Sequence, residues 1–362
     1  MELESVGGHQ GLAREGMMRM KRVLMTGINR LTVQVVEKAQ AQPGEALVKV
    51  MRCGVCGSDS TILRGKHPWA IRPLVLGHEF SGVVEEHGTG VCAPPIGTRV
   101  AVIPHRVCNR CWACRSQRHN LCDHLRCMGA EADGGHAQYV SVPAEMLVPI
   151  PAGMSFEQAA MLEPACVGLH AVRRVDVTGK SVLVLGSGPI GVFTAQCARA
   201  LGAGKVYVAD PDSWRLTIAR NSGATATLDL SKADLETAAA ASRIDLKQIS
   251  IFFDCVGLEG QALDEILRIA RRGSTVVVVG VLQVRYNLPH LPDMVQHELS
   301  LHGTTMYVAD DFRLMIQLLA EKQVSTDGLV THEFSLDRIP EVFQLIEART
   351  EPVFKIMLRI ND

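Results

Sequence analysis

Four of the eleven cysteines in this 362-residue chain crowd into one stretch: Cys108, Cys111, Cys114 and Cys122, spaced C-x2-C-x2-C-x7-C. Four soft thiolates this close suit a closed tetrahedral zinc, in which every coordination position is filled by protein and none is left for a substrate, so such a site is structural. Its net charge of −2 would be eased by backbone N–H groups and by Arg110, Arg115 and Arg118 nearby. Four unligated cysteines or an iron–sulfur cluster are the competing readings. In a long chain without a secretory signal, metal binding or plain burial is favoured over a disulfide framework.

A second set is mixed in chemistry. Cys56 lies in CGVCGSD, His78 and Glu79 in GHEFSG, and Glu163 in MLEPACVGLH. One sulfur, one imidazole and one carboxylate make a set that leaves a coordination position open, which a catalytic zinc requires. Each dipeptide alone means little, and Cys53 with Cys56 also reads as a C-x-x-C redox pair. The weight comes from their coexistence, in this order, with the four-cysteine stretch and a nucleotide fingerprint.

That fingerprint is Gly186, Gly188 and Gly191, a G-x-G-x-x-G between the apolar run Val182 to Leu185 and a helical pattern at Phe193, Cys197 and Leu201. Three glycines in a strand–turn–helix setting give a tight turn, a close backbone approach to a pyrophosphate and close helix–strand packing, with the helix N-terminus facing the anion. Pro189 suits the first helical turn, where its missing N–H is no loss, and Ile190 completes the motif. Asp210 lies nineteen residues beyond Gly191, where a carboxylate accepts hydrogen bonds from both ribose hydroxyls of NAD and repels the extra phosphate of NADP. A glycine turn in an α/β domain without nucleotide is the bland alternative.

These groups need scaffolds of two kinds. From Met20 to about Ser155 short alternating strands are broken by Gly, Pro and Asp, as in LTVQVVEKA and EALVKVMRC, which predicts a mostly β domain. From about Gly179 the rhythm becomes strand, glycine turn, helix, strand, which predicts a doubly wound parallel sheet of Rossmann type. The boundaries expected are a disordered leader over 1–20, a catalytic zinc-binding domain over 21–165 and 300–362, and an NAD-binding domain over 166–299. A formal charge of −1 leaves no surplus for phosphate backbones or anionic lipid. No apolar run approaches the ~20 residues that span a bilayer. A cytoplasmic protein with neither a nucleic-acid nor a membrane partner is the expectation.

From about Lys21 to the C-terminus the chain resembles the zinc-containing medium-chain alcohol dehydrogenases, in the branch of the sorbitol/polyol and threonine dehydrogenases. CGVCGSD, GHEFSG, the four-cysteine lobe, EPACVGLHAV and VLGSGPIG together carry the resemblance. It implies an α/β Rossmann domain beside a mostly β GroES-like catalytic domain, two zinc ions per chain, and NAD as hydride acceptor. It implies that Cys56 rather than Cys53 is the catalytic ligand, with His78 second and Glu79 and Glu163 supplying the carboxylate. Asp59 would orient His78 through its other ring nitrogen. Arg215 falls where the family places a basic residue against the adenosine ribose, a solvated helix face being the alternative. Ser58 would accept the substrate proton, a turn-capping serine being its bland reading. The branch usually carries a histidine five residues after the ligand cysteine; this chain has Thr61, which puts the outlet of the proton relay in doubt and makes His67 a candidate substitute.

The activity implied is hydride transfer between NAD and a secondary alcohol of a polyol, sugar acid or related sugar derivative. An L-threonine 3-dehydrogenase is the alternative within the class; a non-catalytic nucleotide-binding or redox-sensing protein is the alternative outside it. Pocket residues are expected from Ser58 to Arg72, around Met128 to Glu131, and at Tyr307. The edge after Val276 to Val279 resembles the family's dimerisation strand, so a homodimer or homotetramer is expected.

Overall fold

The structure, a computed structural model, describes residues 18–257, 260–281 and 291–362. The chain divides into two compact units, one of Met1–Glu163 with Val330–Asp362 and one of Pro164–Leu329. Most of the expected leader lies outside the described residues. Its last two positions, Arg19 and Met20, instead open the strand Arg19–Gly27, and Met20 is buried.

In the first unit the eleven-residue strand Glu45–Val55 is the hub of a seven-stranded sheet. It pairs antiparallel with Glu79–His87, with Tyr139–Pro143 and with Lys355–Arg359. Strands Arg99–Val102 and Leu147–Pro149 extend the sheet on one side and Val330–Ser335 on the other. Alternating valines and leucines supply the apolar face: Val48, Val50, Phe80, Val84, Val100, Ile356 and Leu358 belong to one buried cluster. The register has a functional consequence. Gly54 sits opposite Glu79 on one neighbour and opposite Met357 on the other, so the closing strand comes alongside a segment encoded three hundred residues earlier.

In the second unit six parallel strands lie in the order Ala226–Asp229, Lys205–Asp210, Ser181–Leu185, Ile249–Asp254, Thr275–Val278, Ser300–Gly303. In sequence rank this is 3-2-1-4-5-6, the doubly wound dinucleotide-binding order, whose ligand crevice opens at the carboxyl ends of the first and fourth strands. Val182, Leu183, Val184 and Leu185 are all buried, because a parallel sheet with helical crossovers is covered on both faces. The helix Pro189–Ala200 follows the first strand directly after the glycine turn.

Residues 300–329 depart from the expected boundary. Ser300–Gly303 is the sixth strand of the parallel sheet and the helix Ala309–Ala320 follows it in the second unit, so the return to the first unit begins at Val330. The edge expected after Val276 is therefore covered: Thr275–Val278 pairs with Ser300–Gly303, which forms the outer strand among the described residues.

Candidate active site and metal centres

Cys56 terminates the strand Glu45–Val55 and caps the helix Gly57–Leu63, in extended backbone geometry at φ −100° and ψ 155°. His78 precedes, and Glu79 opens, the strand Glu79–His87. One ligand atom from each of Cys56, His78 and Glu79 lies within 4.8 Å of the others. Glu163, near the start of the helix Leu162–Val172, is buried but is not among the atoms brought that close.

Asp59 is wholly buried one helical turn beyond Cys56. Its Oδ2 accepts the Cys56 backbone N–H at 2.9 Å, and its Oδ1 lies 3.6 Å from His78 Nδ1. Burial would raise the Asp59 carboxyl, but the His78 imidazole beside it outweighs that and holds the group below its ordinary value. Burial would likewise lower His78, yet Asp59 and Cys56 raise it well above its usual value. Zinc takes the place of that proton on the imidazole, and the sulfur, nitrogen and oxygen donors, with the buried Asp59 carboxylate beside them, fit a zinc ion.

Sequence reasoning missed Lys355. Its ammonium is 3% exposed and pairs with Glu79 Oε2, itself on a residue 1% exposed. Desolvation favours the neutral amine, but Glu79, Cys56 and Glu163 hold the proton on and raise the group. Gly54 makes the room: a Cβ there would fall 2.1 Å from Glu79 Oε2 and 3.1 Å from Lys355 Cε. The one legible signal was a glycine inside a strand, which marks a close approach.

Around the site, Ser58 is half-buried. Thr61 donates its hydroxyl to the Gly57 carbonyl at 3.3 Å, which commits it to its own helix. His67 stacks edge-on against Trp69 at 5.6 Å, and its Nδ1 is buried without a hydrogen-bond partner among the described residues. Glu131 accepts the Cys127 backbone N–H at 3.3 Å, and Met128 is fully buried. Tyr307 is buried in the second unit against Phe312.

The four-cysteine lobe converges as expected from its spacing. Cys108, Cys111, Cys114 and Cys122 bring their sulfurs within 4.8 Å of one another, and all are reduced. Cys108 Sγ lies 4.0 Å from Cys114 Sγ, near the about 3.8 Å edge of a tetrahedron with zinc–sulfur bonds of about 2.3 Å. Backbone N–H groups aim at the sulfurs, Cys111 N at Cys108 and Cys108 N and His124 N at Cys122. Such donation, chiefly from Arg110, pulls the Cys108 thiol down to about 6, whereas desolvation and bonding to its fellow thiols push Cys114 up to about 12. The four cannot all ionise without a cation among them. Arg110, Arg115 and Arg118 are exposed around the lobe, Arg118 over the Trp112 ring at 5.6 Å.

In the second unit each motif glycine meets its own demand. Gly186 has φ +93°, a left-handed turn, and a Cβ at Gly191 would lie 1.8 Å from the Gly186 carbonyl oxygen. Gly188 faces open space at the helix N-terminus, followed by Pro189 at the first helical position and Ile190. Asp210 ends its strand 6% exposed, accepting Ser187 N at 2.6 Å and Asp212 N at 2.8 Å. Each carboxylate oxygen accepts one of these bonds, which leaves lone pairs for ribose hydroxyls. The cradle fits a dinucleotide. Arg215 is half-exposed, with Nε 3.7 Å from Asp212 Oδ2, so its described partner is the helix cap rather than Asp210.

Comparison with known proteins agrees with both units. Residues 42–152 match the alcohol dehydrogenase GroES-like domain and residues 189–321 the zinc-binding dehydrogenase domain. The chain is 32% identical over 347 residues to an L-idonate 5-dehydrogenase of Vitis vinifera, covering 93% of each chain. It is 30% identical over 350 residues to a sorbitol dehydrogenase of Bacillus subtilis, covering 94% of this chain and 98% of that one. A crystal structure of an alcohol dehydrogenase, rspB, from Escherichia coli CFT073 complexed with NADH superposes with a TM-score of 0.87 at 30% identity, over 95% of this chain and 100% of that one. With the ligand trio, the cysteine lobe and the glycine cradle in place, the chain belongs to the zinc-containing medium-chain alcohol dehydrogenase family, in its polyol dehydrogenase branch.

Proposed function

We propose that the protein is a zinc-dependent dehydrogenase that moves hydride between NAD and a secondary alcohol of a polyol, sugar acid or related sugar derivative. The observation that carries this is the trio Cys56, His78 and Glu79 with ligand atoms within 4.8 Å, since three protein ligands leave a coordination position for substrate. The relatives named for L-idonate and sorbitol support the polyhydroxylated substrate class. When bound, zinc supplies Lewis-acid polarisation of the substrate hydroxyl, worth several kcal/mol, and the nicotinamide accepts the hydride.

The chain's own residues then have separable duties. Cys56, His78 and Glu79 hold the metal, Asp59 sets the His78 ring, and Lys355 offsets the charge of Glu79. Glu163 is assigned as the exchanging carboxylate, buried in the same unit and within the electrostatic reach of Lys355. Ser58 takes the hydroxyl proton. With Thr61 bound to Gly57, the relay outlet passes to His67, whose Nδ1 is free of other described partners. Gly186, Gly188, Pro189, Ile190 and Gly191 cradle the pyrophosphate, Asp210 takes the ribose hydroxyls, and Arg215 lies on the adenosine side. Cys108, Cys111, Cys114 and Cys122 hold the structural zinc.

The direct test is reduction of NAD and NADP by the purified chain over polyols, aldonates, sugar phosphates and hydroxy amino acids. NAD reduction with a polyol or sugar acid is expected. Preference for L-threonine or for NADP would contradict the reading. The outer strand Ser300–Gly303 supports a homodimer or homotetramer as the assembly, which sedimentation measures. Among the described residues no helix is long and apolar enough to cross a membrane.

A further inference from the structure

The second unit holds a buried carboxylate to which the reaction gives no role. Asp311, in the first turn of the helix Ala309–Ala320, is wholly buried and meets three partners. Its Oδ2 accepts the Val308 backbone N–H at 2.9 Å and lies 2.8 Å from His170 Nδ1, and its Oδ1 pairs with the Arg173 guanidinium. Burial would raise the Asp311 carboxyl, but hydrogen bonds from His170 and Val308 outweigh it and hold the group below its ordinary value. With the carboxylate ionised, His170 Nδ1 is the donor of its bond.

These partners belong to two different parts of the unit. Val308 closes segment 304–308, which leaves the carboxyl end of the sixth strand, where Thr304 N donates to Val278 O at 3.2 Å. Within the segment Met306 stands at φ +49°, and Tyr307 is buried with its ring 5.4 Å from Phe312. A methionine holds that left-handed conformation only where its surroundings impose it. His170 and Arg173, by contrast, lie at the end of the helix Leu162–Val172, which is seated on the helix that follows the glycine turn. A Cβ on Gly168 would fall 2.7 Å from Thr194 N and 3.0 Å from the Phe193 carbonyl carbon. Asp311 thus links the edge of the sixth strand to the helix that faces the pyrophosphate.

In a 3-2-1-4-5-6 sheet the two mononucleotide halves lie on either side of the first strand. With Asp210, at the end of the second strand, assigned to the adenosine ribose, the carboxyl end of the sixth strand belongs to the nicotinamide half. We infer that Asp311 is a positioning residue of that half: bound to His170 and Arg173, it fixes segment 304–308 relative to the cofactor helix and so sets how tightly the nicotinamide is held. The inference rests on the assignment of the glycine turn and Asp210 to NAD.

The test measures Kd for NADH and for ADP-ribose, which carries every part of the cofactor except the nicotinamide, with melting temperature alongside. The full-length wild type is compared with Asp311→Ala, His170→Leu and His170→Asn. Asparagine returns an N–H donor near the Nδ1 position of His170, and leucine does not. The expected result is that NADH binds Asp311→Ala and His170→Leu about tenfold more weakly, that ADP-ribose binds all four chains alike, and that His170→Asn recovers most of the loss. If Asp311→Ala does not fold, the two His170 variants decide alone. Wild-type NADH affinity in His170→Leu, equal weakening of both ligands, or no recovery with asparagine would each reduce the cluster to packing and overturn the inference. A wild type that binds neither ligand would instead overturn the cofactor assignment, and the inference with it.

Discussion

At the scale of single residues, the site is governed by how few charges it leaves unmatched. Glu79 and Lys355 are buried to 1% and 3% exposure, and an ion pair in such a place is strongly destabilised when only one partner is removed. Lys355→Met should therefore cost about 3–5 kcal/mol of stability, more in the zinc-free protein, where no cation remains to face the carboxylate. The double variant Lys355→Met, Glu79→Gln should regain much of that loss, because an unpaired charge no longer remains. Denaturant titration with and without chelator measures both, and equal stabilities for wild type and Lys355→Met would refute the pairing. The four lobe cysteines were readable in the sequence from their short spacing, whereas Cys56, His78 and Glu79 were singled out through the family resemblance, Cys56 and His78 lying 22 residues apart. Lys355 and Gly54 were not, because each meets Glu79, distant in the chain, through a strand register that no local pattern encodes.

At the scale of elements, the cysteine lobe and the glycine turn are self-contained devices. The lobe's sulfurs converge within a stretch that contains only four-residue and three-residue helical turns, so its shape depends on metal more than on packing. Cys111→Ser should lower the melting temperature by several degrees while leaving the turnover of folded molecules close to normal, since the lobe holds no open coordination position. Thermal melting set against turnover per folded chain measures the division. Unchanged melting with lost catalysis would reverse it. The same locality explains why the glycine cradle could be read ahead of any structure, whereas Ser300–Gly303 was assigned to the other unit. Four residues, of which Leu301 is the one large apolar member, carry too little periodicity to reveal a sixth parallel strand, and only the sheet order makes it one.

At the scale of the whole molecule, stability should depend on pH through histidines kept neutral by burial. Burial pushes His105 down to about 3 and His136 down to about 4, from an ordinary value of 6.5. Below 6.5 the unfolded chain takes up protons that the folded one refuses, so the contribution of these groups is complete above that value and is lost as pH falls toward 4. The slope should be about 1.4 kcal/mol per pH unit for each imidazole over that window. Denaturant titration at pH 7, 6 and 5 should show stability falling with acidification, and His105→Asn should flatten the curve. A stability independent of pH across that range would contradict the burial of neutral rings. The two-unit organisation and both fold types followed from the change in hydrophobic rhythm near Gly179, because period-2 and strand–turn–helix patterns are imposed by the layers they bury.

The account turns on a zinc ion held by Cys56 and His78 in addition to the one held by the lobe. Zinc content per chain, measured together with NAD reduction in the wild type and in Cys56→Ser, addresses this most directly. Two zincs in the active wild type, and one zinc with turnover abolished in a folded Cys56→Ser, is the predicted result. An active wild type with a single zinc, or a Cys56→Ser variant that still turns over, would contradict it.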